Sequence, residues 1–257
     1  MFDEAERQDL LRRICEYFQF IACFEGELFL PRDLRTIQIR RVPSENKVES
    51  RVSRPSANPY PEYGPYESLK KMEQAISGCL KCGLGSGRTK FVFGVGAADA
   101  KVVFIGEGPG AEEDRKGEPF VGRAGALLNQ MLAEIEWRRN DVYICNMVKC
   151  RPPNNRDPLP EEIAMCEPYL YEQLRLIKPK LLVALGRISA QALLKMTAPL
   201  KLLRGRIHRV HGVPMWVTYH PAALLRNQNL MPEANRDFQT LKRMIESGDF
   251  DGNRKDE

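Results

Sequence analysis

KVVFIG (Lys101–Gly106) runs without a break into the glycine-rich GEGPG (Gly106–Gly110), and AGALLNQMLAEIEW (Ala124–Trp137) follows. A short apolar run bounded by turn residues reads as a buried strand; a longer run with one apolar side reads as an amphipathic helix. The same alternation continues toward the C-terminus. DVYICNMV (Asp141–Val148) reads as strand, PEEIAMCEPYLYEQLRLIKP (Pro160–Pro179) as helix, KLLVALG (Lys180–Gly186) as strand and RISAQALLKM (Arg187–Met196) as helix. RIHRV (Arg206–Val210) and PMWVTY (Pro214–Tyr219) read as two short strands joined by a turn at His211-Gly212, and EANRDFQTLKRMIE (Glu233–Glu246) as a closing helix. Strands alternating with helices predict an α/β fold: a three-layer α/β/α sandwich with a central, mostly parallel four-stranded sheet. In such folds the working residues occupy loops at the carboxyl ends of the strands, here after Ile105, Cys145, Leu185 and Tyr219.

Toward the N-terminus the pattern changes. Leu10, Leu11, Ile14, Tyr17 and Phe18 recur at helical spacing, which predicts an N-terminal helical extension over 1–35. IQIRRVPSENKVESRVSRPSANPYPEYGPY, from Ile37 on, is rich in Pro, Ser and Arg. It has too little apolar surface to offset the entropy of ordering, so 36–66 is expected to be a flexible linker and 67–250 the compact domain. With 43% hydrophobic residues in 257, the chain can build a sizeable core. No apolar run approaches the ~18–20 residues of a membrane span. MFDEAERQDLLRRIC mixes charges where an export signal needs an apolar block. The expectation is a monomer in the cytoplasm, associated with the nucleoid and without a membrane partner.

The net charge is +5, from 39 basic and 34 acidic residues, and its distribution says more than its size. Lys201, Arg204, Arg206 and Arg209 fall in an acid-free stretch, and Lys149, Arg151 and Arg156 gather similarly. Concentrated basic loops suit phosphate contacts.

Seven cysteines in a chain without an export signal argue against a disulfide framework. Cys79 and Cys82 form a C-x2-C pair in CLKCGLGSG, and Cys150 and Cys166 lie further on. Four thiolates drawn from three segments suit zinc or a [4Fe–4S] cluster. The wide second pair leans away from a zinc ribbon, while ordinary buried thiols at Cys150 and Cys166 fit the pattern equally well. Cys145 reads as a core strand residue, and Cys15 and Cys23 as packing in the N-terminal helix.

The first strand-end loop, Gly106–Gly125, carries six glycines and two prolines in twenty residues, which predicts tight turns and close approach of backbone to a ligand. It is no dinucleotide fingerprint, because Pro109 stands where the fingerprint helix would begin. It is no phosphate cradle either: Glu107, Glu112, Glu113, Asp114 and Glu118 outnumber Arg115, Lys116 and Arg123. Such a loop suits the activation of water or the stabilisation of a cationic sugar; a solvated acidic surface accounts for most of these acids. Asn146 ends the second strand with an amide able to pair with a base edge or to cap a turn. HPAALLR (His220–Arg226) follows the last strand with an imidazole and an apolar wedge.

GEGPGAEED with GEPFVG, then NMVKCRPPNNR, then HPAALLR, together with the four cysteines, resemble the uracil-DNA glycosylase superfamily, specifically its family 4, the iron–sulfur type of bacteria and archaea. The resemblance covers residues 79 to about 245 and implies a [4Fe–4S] cluster on Cys79, Cys82, Cys150 and Cys166. It implies an enzyme acting on uracil-containing DNA, single- or double-stranded, that hydrolyses the N-glycosidic bond and leaves an abasic site in base-excision repair. The target base must leave the stack to be reached. Phe120 would lie against it, Asn146 would read its O4 and N3–H, and backbone near Gly108 would meet O2. Glu113 would crowd out the thymine methyl. Glu107 and His220 would be the catalytic residues, His220 meeting the negative charge on O2 at a worth of about 3–4 kcal/mol. Leu224, Leu225 and Arg226 would enter the gap in the duplex, with Arg151, Arg156 and Arg206 on the DNA backbone. RGRIH (Arg204–His208) is similar to the loop of a related class that traps DNA through a His, but that loop follows the second strand. Here it precedes the last, so hydrolytic turnover is expected, with His208 on a DNA-facing hairpin.

Overall fold

The computed structural model describes residues 64–250. The helix expected over 1–35 and the linker expected over 36–66 lie outside the described residues, except for the last three linker positions. Tyr66 is docked: its N–H donates to Glu172 Oε1 at 2.7 Å and its carbonyl accepts from Arg175 at 2.7 Å.

The chain forms α1 (Leu69–Ile76), α2 (Leu84–Gly87), β1 (Val95–Gly96), β2 (Val102–Gly106), α3 (Ala111–Lys116) and α4 (Arg123–Glu134). After a 3-10 turn at Arg139–Asp141 come β3 (Tyr143–Asn146), α5 (Pro160–Ile177), β4 (Leu181–Leu185), α6 (Arg187–Leu194) and α7 (Leu200–Leu203). The series ends with β5 (Ile207–Val210), β6 (Val213–Thr218), α8 (Pro221–Arg226) and α9 (Met231–Ser247). The sheet order is β1-β3-β2-β4-β6-β5. The sheet has six strands against the four expected: β3-β2-β4-β6 form its parallel centre, the segment read as RIHRV is the antiparallel edge β5, and β1 is an added antiparallel edge. β1 has two residues, too few to carry a period-2 pattern, so it left no readable trace in the sequence.

Every residue of β2 is buried, because its neighbours in the alternating pleat face different cores. Val102 and Phe104 pack with α4 and α9 through Leu128, Leu132, Phe238 and Leu241. Val103 and Ile105 pack on the other face with Leu170 of α5 and Ala190 of α6. Helices on both faces of a largely parallel sheet are the expected three-layer arrangement. The β5–β6 hairpin turns on two residues, His211 (φ 48°) and Gly212 (φ 79°), the left-handed pair that matches strand twist in a two-residue turn. No helix among the described residues is long and apolar enough to cross a membrane.

Candidate active site

The four parallel strands point their carboxyl ends the same way, and the loops beyond them enclose a cleft of about 540 Å³. Glu107, Gly108, Glu113, Phe120, Asn146 and His220, drawn from three separate loops, all line it.

Asn146 is the last residue of β3 and is 2% exposed. Its backbone carbonyl accepts from the Lys149 ammonium at 2.9 Å, and that ammonium also donates to Gln173 Oε1 at 2.6 Å. Its side-chain Oδ1 is buried without a hydrogen-bond partner. An unpaired buried acceptor costs about 1–3 kcal/mol, so this atom marks a place for a donor that the protein does not itself supply. Gly106, beside it in the β2–β3 register, must lack a side chain. A Cβ there would lie 2.8 Å from the Phe120 ring and closer still to Asn146 Oδ1. Lys149 is fully buried, so its grouping with Arg151 and Arg156 as a phosphate contact is corrected: two internal acceptors hold it inside.

His220 caps the N-terminus of α8, its Nδ1 accepting from the Ala222 N–H at 3.1 Å. That bond leaves the proton on Nε2 as the tautomer. Burial and then the charge of Arg226 push its pKa down to about 4, against an opposing pull from Glu113. The imidazole is therefore neutral at pH 7 and a donor through Nε2–H. Its ring centroid lies 5.4 Å from that of Phe120, at 33° between planes.

Burial, then Asp157, lifts Glu107 to about 7, while Arg187 opposes the rise. Asp157 and Arg187 pair with each other at 2.9 Å and both line the cleft. Phe120 is 6% exposed and left-handed, with φ 52°. Glu113 Oε1 accepts from the N–H groups of Val121 and Gly122, each at 2.9 Å. The carboxylate expected at the thymine methyl thus also holds the turn that carries Phe120.

The expected DNA contacts divide. Leu225 is 36% exposed and Arg226 and Arg206 are exposed. Arg151 bonds Asn155 Oδ1 at 2.7 Å, and Arg156 grips Glu162 through two bonds of 2.8 and 2.7 Å. Leu224 is corrected: it is fully buried in the core shared with α4 and α9, so inserting it into DNA would unpack the fold. Arg204, from the basic stretch, is also turned inward. It bridges Glu233 and Asp237 and lies 4.6 Å over the Tyr219 ring. His208 sets Nε2 2.8 Å from the Leu203 carbonyl and does not line the cleft.

Cys79, Cys82, Cys150 and Cys166 share one apolar cluster with Met72, Phe93 and Tyr169. Donors face their sulfurs: Lys81 N–H and Tyr169 Oη to Cys79, both at 3.5 Å, Arg88 Nη1 to Cys150 at 3.4 Å, and Lys149 N–H to Cys166 at 3.3 Å. Burial raises the thiol of Cys150 and lifts Cys166 to about 12. No set of three or more His, Cys, Asp or Glu among the described residues closes on a single metal ion. Cys145 lies in the sheet core, as expected.

Sequence reasoning missed Asp157, Arg187 and Arg139. Asp157 directly follows NMVKCRPPNNR, and Arg187 comes just after Leu185, one of the strand ends singled out above. Arg139 lies in a turn whose only visible signal is the run of charged residues after Trp137.

The family model of the uracil DNA glycosylase superfamily matches residues 93–241. The chain is 45% identical over 183 residues to the type-4 uracil-DNA glycosylase of Archaeoglobus fulgidus, covering 68% of this chain and 92% of that one. It is 44% identical over 169 residues to the type-4 enzyme of Thermotoga maritima, covering 65% and 88%. With the type-5 uracil-DNA glycosylase of Pyrobaculum aerophilum it shares 34% over 148 residues, 50% of this chain and 64% of the other. The chain therefore belongs to the uracil DNA glycosylase superfamily, among its type-4 members.

Proposed function

We propose that this chain removes uracil from DNA by hydrolysing the N-glycosidic bond of deoxyuridine, releasing the base and leaving an abasic site for excision repair. The observation that carries this reading is the buried, unpartnered Asn146 Oδ1 in the cleft. Uracil offers N3–H to that oxygen and O4 to the amide nitrogen of the same side chain. Cytosine presents an acceptor and a donor in those two places, so it leaves both groups unsatisfied; such mismatches in a buried site are strongly rejected. Phe120 provides a face for the extruded base. Glu113 stands beside it where a 5-methyl group would project, and the backbone at Gly108 borders the O2 side.

As C1′–N1 breaks, its electron pair moves onto the base and the sugar becomes cationic. The neutral His220 donates Nε2–H to the developing charge on O2. A single preorganised donor of this kind contributes about 3–4 kcal/mol. Ionised Glu107 supplies negative charge to the same cleft. Water gives its hydroxyl to C1′ and its proton to the base. Leu225 fills the gap left in a duplex, and Arg151, Arg156, Arg206 and Arg226 face the DNA backbone.

Cys79, Cys82, Cys150 and Cys166 are the residues that would hold a [4Fe–4S] cluster, and their surroundings fit one. The four cysteines share one apolar cluster, and N–H and O–H donors face three of their sulfurs, the kind of surroundings that tune a cluster held by thiolates. Bound there, the cluster would supply a fixed cross-link among the α1–α2 loop, the loop after β3 and α5 rather than a reacting group.

Incubation with an oligonucleotide carrying one uracil tests the function. Free uracil should appear, with strand scission only after alkali, and matched thymine and cytosine oligonucleotides should stay intact. Release of no base, or equal release from all three, would overturn the reading.

A further inference from the structure

A bulky residue stays in the left-handed region only where its surroundings hold it, at a cost of about 1–3 kcal/mol. Phe120 is such a residue, with φ 52°, and it is held from two sides. Glu113 takes the N–H groups that follow it. Arg139, half-buried in the turn before β3, takes the carbonyls: Nη2 donates to Pro119 O at 2.5 Å, and Nη1 to Phe120 O at 3.3 Å and Asn129 Oδ1 at 3.3 Å. Arg139 does not line the cleft. The planar guanidinium fork suits two adjacent acceptors in a way that an ammonium does not.

We propose that Arg139 is a positioning residue for base excision, fixing the Phe120 ring against which the extruded base lies; this rests on the uracil-excising reading above. The ring is a wall of the cleft, packed against Gly106 and tilted toward His220. Without the fork, Pro119–Phe120 loses its carbonyl anchors and the strained φ relaxes. The ring then shifts, and a base lying on it is displaced from both Asn146 and His220. A displacement of ~1 Å costs on the order of 10²-fold in rate.

A double-mutant cycle on single-turnover uracil release, with DNA affinity and thermal melts alongside, separates this role from plain support of the fold. Arg139→Met should slow release about 10–100-fold while affinity for uracil-free duplex stays the same. In a Phe120→Ala background, where no ring remains to be placed, the same change should alter the rate by less than about twofold. Arg139→Lys, which keeps the charge and part of the bonding, should fall between, and it carries the same cycle if Arg139→Met does not fold. Equal losses in both backgrounds, or no loss with Phe120 intact, would overturn the proposal. Failure of the wild-type chain to release uracil would instead strike the reading on which it rests.

Discussion

Asn146 and His220 bring different hydrogen-bonding groups to the cleft. Asn146 offers a buried acceptor; His220, its Nδ1 occupied by the Ala222 N–H, offers a donor. In the proposed function Asn146 would meet the base edge in ground and transition states alike, whereas His220 would meet charge present only as the bond breaks. Asn146→Asp should therefore abolish uracil excision, because a carboxylate repels O4. It should also bring measurable excision of cytosine, whose exocyclic amine it accepts; oligonucleotides with a single uracil or cytosine check this. Glu107 sets the pH dependence. Its pKa of about 7 lies well above the ordinary carboxylate range near 4.3, so it ionises only as pH rises through neutrality. Because the proposed role belongs to ionised Glu107, single-turnover excision should climb with pH through about 7, and Glu107→Gln should flatten that limb. His220, at about 4, is neutral throughout this range and contributes nothing to it. The same shift makes folding progressively less favourable as pH rises from about 4.5 to about 7, because over that range the unfolded chain ionises and the folded state resists the charge.

At the scale of elements, α8 does two jobs with adjacent residues. Leu224 closes the core beneath it, and Leu225 stands at the surface. Leu224→Ala should cost about 2–5 kcal/mol of stability, as buried leucine truncations do, and lower the melting temperature. Leu225→Ala should leave melting unchanged and slow excision from duplex more than from single strands, since only a duplex has a gap to fill. The sequence showed HPAALLR as a wedge but not which leucine faces out, because in a six-residue helix either phase suits the pattern. The same limit misplaced Lys149 and Arg204. Each sits in a basic stretch, and each turns inward to acceptors on elements far away in sequence: Gln173 for the first, Glu233 and Asp237 for the second. The central strands were legible because each is a continuous apolar run buried on both faces.

Across the whole molecule, the reading and chemical parts of the cleft are joined to the cysteine cluster by one short segment. From Asn146 to Cys150 the chain passes from the cleft-lining amide to a sulfur, and the N–H of Lys149 meets Cys166 while its side chain returns to the Asn146 carbonyl. Cys150→Ala or Cys166→Ala should lower both the brown absorbance of anaerobically purified protein and its thermal stability. Full stability without cluster would remove the structural role assigned to those residues. The spacing of the four cysteines was plain in the sequence, while the donors around their sulfurs, such as Arg88 and Tyr169, come from folding alone. The central claim, that this cleft breaks the glycosidic bond of an extruded uracil, is tested most directly by single-turnover uracil release with the wild-type chain and His220→Ala side by side. The wild type should release the base, and the variant should do so about 10²–10³-fold more slowly with DNA affinity retained; release by His220→Ala at the wild-type rate would contradict it.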